Sequence, residues 1–544
     1  MNLALRFAML LTRYRDWAPF LTDTNTPEFA QRAVLQRILA RQAATGFGAA
    51  HRFAAIRSYE EFVRAVPIRT YEDLRTAIEL QEQTGEPMLT QERPIFYART
   101  SGTTGEPKHI PILEDTVESM CRYQRLFTYA QCQALPKMYE GTVLVMSGAT
   151  VEGHLPGGTP FGSMSGLLYD CLPAAIRKKS LFPDGPPTDA DYRQRYLTIA
   201  ARALADPSLS VLATPNPSTI LKVLEVIRGE YESLLAVLSG QLEFGPGSPR
   251  LALTVSPSRL SWLRALVGDA ARLDCATLWP NLQAVVTWTA GNCAVLMPRL
   301  RSLLPSKTHI IEMGYLSSEC LGTLTVDVLN NRGVPTLHDN LFEFVEVGDH
   351  MSGRRPVLLH ELQPGRKYAV VVTTGSGLYR YAMNDIVEVT GSYNRTPTVR
   401  FVQKGKGVTS ITGEKLYEHQ VVEAVEQVLT AQERMVGFFV MLADVAESRY
   451  TLCIEGMGAV KEMASLLDAR LAEINIEFKA KRESGRLQPT RILPLRPGAG
   501  DAFRQHCVSR GQRETQFKLL RLQYVHDCTF DFAAYGSASR DQAT

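Results

Sequence analysis

The sequence predicts an α/β protein with a large N-terminal domain, residues 1–403, and a small α+β C-terminal domain, residues 404–544. Short runs of apolar, β-branched residues alternate with segments whose apolar residues recur at helical spacing, which is typical of sheets covered by helices. The chain has 544 residues, enough for one large core and a smaller second domain. The segment 404–407 alternates lysine with glycine, which is typical of a hinge, and we place the domain boundary there.

The elements of the N-terminal domain follow from the spacing of its apolar residues. The predicted helices are Met1–Leu11, Thr26–Gln42, Tyr59–Val66 and Ser218–Ile227. The predicted strands are His109–Leu113, Thr142–Ser147, Gln283–Trp288, Thr308–Glu312 and Tyr368–Thr373. Met1–Leu11 is expected to be an amphipathic first helix, and Ser218 is expected to be the N-cap of its helix.

The C-terminal domain is predicted to combine an amphipathic helix with strands. Val421, Val425 and Val428 share one face of a helix over Tyr417–Leu429. The predicted strands are Met435–Leu442 and Tyr450–Ile454. This mixture of elements predicts a small α+β domain.

The composition excludes several classes of protein. Hydrophobic residues make up 45% and charged residues 21% of the chain, which is typical of a folded globular protein. The 59 basic and 56 acidic residues nearly balance, so we expect no nucleic-acid partner. Nine cysteines without a Cys-X-X-Cys pair predict neither a zinc site nor a disulfide framework, and favour the reducing cytoplasm. No apolar run reaches the roughly 20 residues of a membrane span, so we expect no membrane partner.

A glycine- and hydroxyl-rich segment before Lys108 predicts a phosphate-binding loop. Glycines let backbone amides turn toward one point, hydroxyls add donors, and Lys108 adds a positive charge, which together suit a polyphosphate. Pro107 and the lack of Ser or Thr directly after Lys108 exclude a Walker loop. A surface hairpin is the alternative. The residues of this predicted phosphate cradle are Thr100, Ser101, Gly102, Thr103, Thr104 and Gly105.

The segment Glu312–Glu319 follows a predicted strand, and α/β sheets bind ligands at the carboxyl ends of their strands. Tyr315 offers a flat ring for a purine, and Gly314 and Ser318 are included in the predicted nucleotide site. Glu319 offers a carboxylate oxygen of the kind that Mg²⁺ prefers. A surface ion pair is the alternative for Glu319.

A third segment, Leu378–Asp385, ends in a carboxylate that can accept hydrogen bonds from two vicinal hydroxyls. The alternative is an edge strand with alternating aromatic and charged side chains. For three weaker segments the alternative is a purely structural role, as a common glycine turn or as solvent-facing lysines. They are the turn Thr287–Asn292 with Gly291, the pair Glu414 and Lys415, and the string from Gln516 to Lys518.

These segments, in this order and with Gly85–Thr90 ahead of them, resemble the signatures of the acyl-adenylate-forming superfamily. Within it they resemble the auxin-responsive Gretchen Hagen 3 family of acyl acid amido synthetases, over a stretch from about Leu35 to Leu522. The resemblance implies a large α/β domain of adenylate-forming type and a small, mobile C-terminal domain that pivots over Lys404–Gly407. Three positions depart from the family pattern: Ala382 stands for arginine, Asn384 for glycine and Leu416 for threonine.

The resemblance implies that ATP and Mg²⁺ are the cofactors. Tyr315 then packs on adenine, Glu319 binds Mg²⁺ and Asp385 holds the ribose hydroxyls. The expected reaction adenylates a small carboxylic acid and transfers the acyl group to an amine or amino acid. The expected catalytic residues are Lys108, Lys415 and Lys518, and Lys404 is expected to contact the nucleotide.

Two alternatives stay open at this point. A ligase that passes the acyl group to a thiol is one, although such relatives usually carry Ser-Gly-Lys where this chain has Gln516 to Lys518. A non-catalytic nucleotide-binding homologue is the other, although Lys108, Glu319 and Asp385 are all present. The segments Gly157–Gly166 and Leu212–Pro217 are candidates for lining the acyl pocket.

Overall fold

The computed structural model contains two compact units. The first comprises Met1–Thr289, Leu300–Met383 and Val387–Phe401, and the second comprises Ala290–Arg299, Asn384–Ile386 and Val402–Thr544. Helices and sheets are both present, which confirms the predicted α/β class. The domain boundary after residue 403 stays a prediction. The residues that the structure describes are 3–100, 108–185, 187, 192–241, 255–269, 272–347, 355–405, 407–409, 411, 414, 416–456, 461–483, 487–510, 512, 514 and 517–537.

The helices up to residue 302 include the predicted ones and confirm their type. They are α1 (Leu3–Thr12), α2 (Ala18–Asn25), α3 (Pro27–Gln42), α4 (Gly46–Ala50), α5 (Tyr59–Ala65), α6 (Glu72–Thr84), α7 (Glu114–Ala134), α8 (Met164–Asp170), α9 (Ala174–Arg177), α10 (Tyr192–Ala205), α11 (Ser218–Gly229), α12 (Tyr231–Leu238), α13 (Pro257–Arg264), α14 (Cys275–Leu278) and α15 (Met297–Ser302). Among the described residues, no helix has the length and apolar character needed to cross a bilayer.

The strands up to residue 404 likewise include all those predicted for the N-terminal domain. They are β1 (Phe96–Thr100), β2 (Lys108–Ile112), β3 (Thr142–Val145), β4 (Gly153–His154), β5 (Pro160–Gly162), β6 (Leu209–Ala213), β7 (Ala284–Thr287), β8 (His309–Glu312), β9 (Thr323–Asp327), β10 (Arg332–Pro335), β11 (Leu341–Glu346), β12 (Val357–Leu358), β13 (Lys367–Thr373), β14 (Tyr381–Tyr393) and β15 (Thr396–Lys404).

Three sheets position the residues discussed below. One has the order β3-β6-β7-β8 with parallel neighbours, and all residues of β7 are buried, as expected for a parallel strand covered on both faces. A second has the order β2-β1-β5-β4, with β1 and β2 antiparallel and Thr100 opposite Lys108. A third has the order β12-β11-β13-β14-β15.

The predicted cap of α11 is wrong. Pro217 precedes the helix with a backbone that is already helical, at φ −61° and ψ −23°. Ser218 is therefore the first helical residue, and its amide donates a 3.0 Å hydrogen bond to the Asn216 side chain. The fixed φ of proline suits the first turn of a helix. The side chain that accepts a backbone hydrogen bond at this helix start is therefore that of Asn216, two residues before the predicted cap.

The second unit has its own hydrophobic core, which includes Val421, Val425 and Val428 on the predicted helical face. The predicted strand from Met435 starts too early, because a turn follows the helix: Glu433 has φ +52° and Met435 is 66% exposed. The sheet has the order β20-β19-β18-β21. The elements are β16 (Val408–Thr409), β17 (Leu416–Tyr417), α16 (Glu418–Ala431), β18 (Phe439–Asp444), β19 (Arg449–Glu455), α17 (Lys461–Ile474), α18 (Ile476–Glu483), β20 (Arg491–Leu495), α19 (Ala499–Ser509) and β21 (Leu522–Tyr524).

Candidate active site

The loops that follow β6, β7 and β8 are hydrogen-bonded to one another. The strands are parallel, so their carboxyl ends lie at one edge of the sheet. The Trp288 amide donates to the Pro215 carbonyl over 3.0 Å, and the Trp288 indole donates to the Gly314 carbonyl over 3.1 Å. These bonds hold three loops together at the edge where α/β sheets bind ligands.

Glu312 stabilises the same edge. One carboxylate oxygen accepts hydrogen bonds from the Thr289 amide at 2.8 Å and from the Thr289 hydroxyl at 2.5 Å. The other oxygen accepts one from the Gly314 amide at 3.0 Å. A carboxylate that satisfies donors from two loops fixes both of them. The sequence placed Glu312 at the start of a motif but gave it no role.

Gly314 and Tyr315 lie directly after β8. Gly314 has φ +100°, and a Cβ there would lie 2.7 Å from the Thr323 carbonyl oxygen, so this turn requires glycine. The Tyr315 ring stacks on Phe401, with centroids 5.9 Å apart and planes 14° apart. Tyr315 is 8% exposed. Phe401 therefore holds the ring in one orientation.

Lys108 and Glu319 are joined through one tyrosine. The Lys108 ammonium donates a 3.2 Å hydrogen bond to the Tyr381 hydroxyl, and that hydroxyl donates over 3.4 Å to Oε1 of Glu319. A hydroxyl can accept one hydrogen bond while donating another. The structure thus brings together two of the three residues that the sequence singled out, and it adds Tyr381, whose role the sequence analysis missed.

Tyr71 packs on the same lysine. The Lys108 ammonium lies 5.5 Å from the centroid of the Tyr71 ring and 5.9 Å from that of Tyr381, within range of cation–π attraction. The Tyr71 hydroxyl accepts a 2.8 Å hydrogen bond from the His109 amide. Burial raises the pKa of Tyr71, so the ring stays neutral beside the lysine. Tyr71 belongs to no motif, and no signal in the sequence points to it.

The start of β14 is anchored by a buried ion pair. The Arg380 guanidinium lies 2.8 Å from Oε1 of Glu343, and the two side chains are 4% and 0% exposed. The same carboxylate oxygen accepts a 2.8 Å hydrogen bond from the Tyr59 hydroxyl. Arg380 therefore positions the residue that follows it, Tyr381, rather than binding a ligand.

Asn384 and Asp385 belong to the second compact unit. Asn384 has φ +53°, a left-handed backbone that glycine adopts freely and asparagine tolerates better than most residues. The departure from the family's glycine is thus compatible with the same local backbone. Asp385 is 1% exposed, and its predicted contact with ribose stays a prediction.

A cavity of about 90 Å³ lies at the carboxyl edge of the parallel sheet. Residues that follow three of the strands line it, among them Ser147, Pro215 and Met313. Helix α7 contributes Tyr123, whose hydroxyl donates a 3.0 Å hydrogen bond to the Met313 carbonyl. Most of the lining is apolar, and Ser147 has a buried hydroxyl without a hydrogen-bond partner among the described residues. Both segments expected to line an acyl pocket contribute, through Ser165 and through Ala213 to Pro215.

Three family profiles match consecutive stretches of the chain. They are the GH3 family N-terminal domain over residues 18–309, the GH3 family central domain over 334–404 and the GH3 family C-terminal domain over 419–524. The chain belongs to the GH3 family. This confirms the family resemblance inferred from the motifs.

Curated GH3 relatives align with nearly the whole chain. Indole-3-acetic acid-amido synthetase GH3.15 of Arabidopsis thaliana is 27% identical, over 92% of this chain and 90% of its own length. Indole-3-acetic acid-amido synthetase GH3.8 of Oryza sativa subsp. indica is 24% identical, over 92% of this chain and 88% of its own length.

Two solved structures resemble this chain in fold. The AtGH3.15 acyl acid amido synthetase in complex with 2,4-DB has a TM-score of 0.82 at 22% identity, covering 96% of this chain and 97% of that one. 2-Hydroxyisobutyryl-CoA ligase in the postadenylation state has a TM-score of 0.54 at 13% identity, covering 90% and 88%. These likenesses confirm a fold of the adenylate-forming type.

Several residues predicted for the GH3 site lie outside the described part of the chain or are described only in part. The backbones of Thr100 and Lys404 end strands, and Gly291, with φ +58°, begins a 3₁₀-helix. Lys518 is exposed. Ser101, Gly102, Thr103, Thr104, Gly105 and Lys415 lie outside the described residues. Their predicted roles stay predictions.

Few of the described side chains in this GH3 site could act as ligands of Mg²⁺. Within the described ranges, no group of three or more His, Cys, Asp or Glu side chains has a geometry that could hold a metal ion. Glu319 is half-buried and lies beside Lys108 and Tyr381. A single carboxylate fits Mg²⁺ that arrives with nucleotide phosphates, because such Mg²⁺ takes most of its ligands from phosphate and water.

Proposed function

We propose that this GH3 chain is an ATP-dependent acyl acid amido synthetase. It adenylates a small, largely apolar carboxylic acid and then passes the acyl group to the amino group of an amino acid. One observation carries the proposal: the segment after β8 lines the cavity and also contributes to the hydrogen-bonded group of Lys108, Tyr381 and Glu319. Met313 and Leu316 line the cavity, and Glu319, three residues later, accepts a hydrogen bond from the tyrosine that is bonded to Lys108.

The cavity determines how the acid would bind. No lysine or arginine is among the described residues that line it, and burying a carboxylate without a partner is very costly. The apolar body of the acid therefore enters the cavity, and its carboxylate stays at the side of Met313 to Glu319. Lys108 lies on that side and supplies positive charge.

In the first half-reaction, a carboxylate oxygen of the acid attacks the α-phosphorus of ATP and pyrophosphate leaves. The carboxylate is already anionic, so the step needs positioning and charge neutralisation rather than a general base. Lys108 stabilises the negative charge that develops on the phosphate, and Tyr381 holds its ammonium in place. Mg²⁺, held by Glu319 and the phosphates, would supply further neutralisation. The nucleotide contacts are assigned to Thr100, Ser101, Gly102, Thr103, Thr104, Gly105, Gly291, Gly314, Tyr315, Ser318, Asp385 and Lys404.

In the second half-reaction, the amine attacks the acyl carbon, AMP leaves and the amine loses a proton. We assign Lys518 to charge neutralisation during the adenylation step and Lys415 to catalysis, on the basis of their family-like positions in the C-terminal domain. The names of the Arabidopsis and rice relatives, both amido synthetases, support an amine rather than a thiol as the acceptor.

The test begins with acid-dependent exchange of labelled pyrophosphate into ATP over aromatic, indolic and aliphatic acids. We expect exchange with at least one acid, and loss of at least about a hundredfold in Lys108→Met, since removing one charge-stabilising group costs about that factor. The exposed Lys178→Met serves as the matched control. Mass spectrometry with amino acids or coenzyme A as acceptors then identifies the product. No exchange with any acid, or a thioester as the only product, would contradict the proposal.

A further inference from the structure

Helix α1 and the π-helix that continues it over Arg13–Trp17 expose a row of large apolar side chains. Phe7, Leu10, Leu11 and Tyr14 are 63%, 50%, 54% and 69% exposed. Their spacing of three and four residues places them on one face of the helix. A contiguous exposed row of this kind, unlike single apolar residues scattered over a surface, indicates an interaction site.

The opposite face of the helix is already packed on the fold. Leu5, Met9 and Thr12 are 1%, 6% and 3% exposed. In the next turn, the buried Asp16 carboxylate accepts hydrogen bonds of 2.7 and 3.2 Å from Arg125 of α7. The helix is therefore held in place by one face, and its exposed row is not the face that packs on this unit.

Positive charge flanks the exposed row. Arg6, Arg13 and Arg15 are exposed, and the first 15 residues contain no Asp or Glu. At about 100° per residue over α1, Arg6 lies beside the apolar row, and Arg13 and Arg15 are the chain neighbours of Tyr14 in the π-helix that follows. This is the pattern of a helix that lies in the plane of an anionic membrane surface, with its apolar side chains below the headgroups.

The exposed row lies outside the part of the chain that matches the family profiles. The match to the GH3 family begins at residue 18, after the exposed row and its arginines. The row therefore belongs to a segment that the family profile does not include, and the adenylation chemistry gives it no role.

We propose that this helix docks the protein on the surface of an anionic phospholipid bilayer. Phe7, Leu10, Leu11 and Tyr14 enter the boundary between headgroups and acyl chains, and the three arginines bind lipid phosphates. A second copy of the chain fits the surface less well, because two such rows would bring arginines of like charge together. The expectation of no membrane partner rested on the absence of a spanning segment, and an in-plane helix needs none.

The test is flotation of the full-length protein with vesicles. We expect binding to vesicles of equal parts phosphatidylcholine and phosphatidylglycerol, and much weaker binding to phosphatidylcholine alone. Bound protein should fall when salt is raised to about 1 M, where charges are screened within about 3 Å. Each arginine near an anionic surface contributes to binding.

Matched variants test whether binding depends on this row and its arginines rather than on exposed apolar or basic residues in general. The double variant Phe7→Ser, Leu11→Ser should weaken binding by more than about tenfold, since two large apolar side chains leave the bilayer. Phe29→Ser, Ile68→Ser removes two other exposed apolar residues, 67% and 42% exposed, and should leave binding unchanged. The triple variant Arg6→Gln, Arg13→Gln, Arg15→Gln should abolish the preference for phosphatidylglycerol. Exposed arginines elsewhere, in Arg52→Gln, Arg64→Gln, Arg264→Gln, give its control.

Three results would overturn the proposal. One is no flotation with either vesicle. Another is equal flotation of the row variant and its control, with unchanged melting temperatures. The third is a concentration-dependent dimer of the wild-type chain, seen by light scattering, that the row variant abolishes, because the row would then bind a second copy.

Discussion

The ammonium group of Lys108 donates a 3.2 Å hydrogen bond to the hydroxyl of Tyr381. Lys108 begins β2 and Tyr381 begins β14, so two strands from different sheets present their first side chains to each other. The same hydroxyl donates to Glu319. One tyrosine thus sets the separation between the cation and the carboxylate that we assign to ATP and its metal.

Tyr381→Phe should lower the rate of acid-dependent pyrophosphate exchange by about tenfold, because a hydrogen bond to a charged group contributes about 1.5 kcal/mol or more. The ring and its packing are kept, so the melting temperature should change little. Exchange kinetics at saturating ATP measure the effect. Tyr368→Phe is the matched control, since it removes a buried hydroxyl that accepts a 3.2 Å hydrogen bond from the Gln363 amide. An equal loss of rate in both variants would remove the role of Tyr381.

Ala213→Phe should raise KM for the acid by more than about tenfold and leave KM for ATP nearly unchanged. Ala213 lines the cavity at the end of β6, and a phenyl ring there occupies space that we assign to the acid; overfilling a packed site costs about 1–3 kcal/mol. Steady-state kinetics with each substrate varied in turn measure the split. Ala213→Ser keeps the volume and should behave like the wild type. A rise in KM for ATP alone would mean that the cavity does not hold the acid.

Glu343→Gln should destabilise the protein by about 3–5 kcal/mol, because Arg380 would keep a buried charge without its counter-ion. Urea unfolding measures this loss. Glu346→Gln is the control on the same strand: its partner Arg366 is 62% exposed, and exposed pairs contribute about 0–1 kcal/mol. Equal midpoints for the two variants would show that the buried pair does not anchor β14.

His338 should make stability depend on pH below neutrality. Burial lowers the pKa of His338 from its ordinary value of 6.5; Asp339 and Asp23 oppose this shift, and Arg122 and Arg37 add to it. The unfolded chain then binds the proton more readily than the folded one, so stability present above about pH 6.5 is lost as the pH falls toward the lowered pKa.

The measurement for His338 is the urea midpoint between about pH 7.5 and 5. His338→Asn should flatten this dependence, while the exposed His360→Asn should leave it as in the wild type. If the urea midpoint of His338→Asn changed with pH as steeply as that of the wild type, the pH dependence would belong to other groups.

Most elements could be predicted from the sequence, because apolar periodicity is a local property. It predicted β3, β7, β8 and β13, and it placed the start of β18 too early because Met435, although apolar, lies between the turn at Glu433 and the strand. The motifs around Lys108 and Glu319 could also be recognised, because each is a run of neighbouring residues. Glu312 stood in a motif but received no role, since its partners, Thr289 and Gly314, come from two different loops.

Residue types and their order along the chain were sufficient to predict the α/β class, the family and the activation of a carboxylic acid by ATP. They left open which side chains meet. The contacts of Tyr381 and Tyr71 with Lys108, and the cavity behind Met313, arise only when strands distant in sequence pair and their ends converge. Pairing between distant strands depends on the packing of the whole unit, whereas propensity and motif spacing are properties of neighbouring residues.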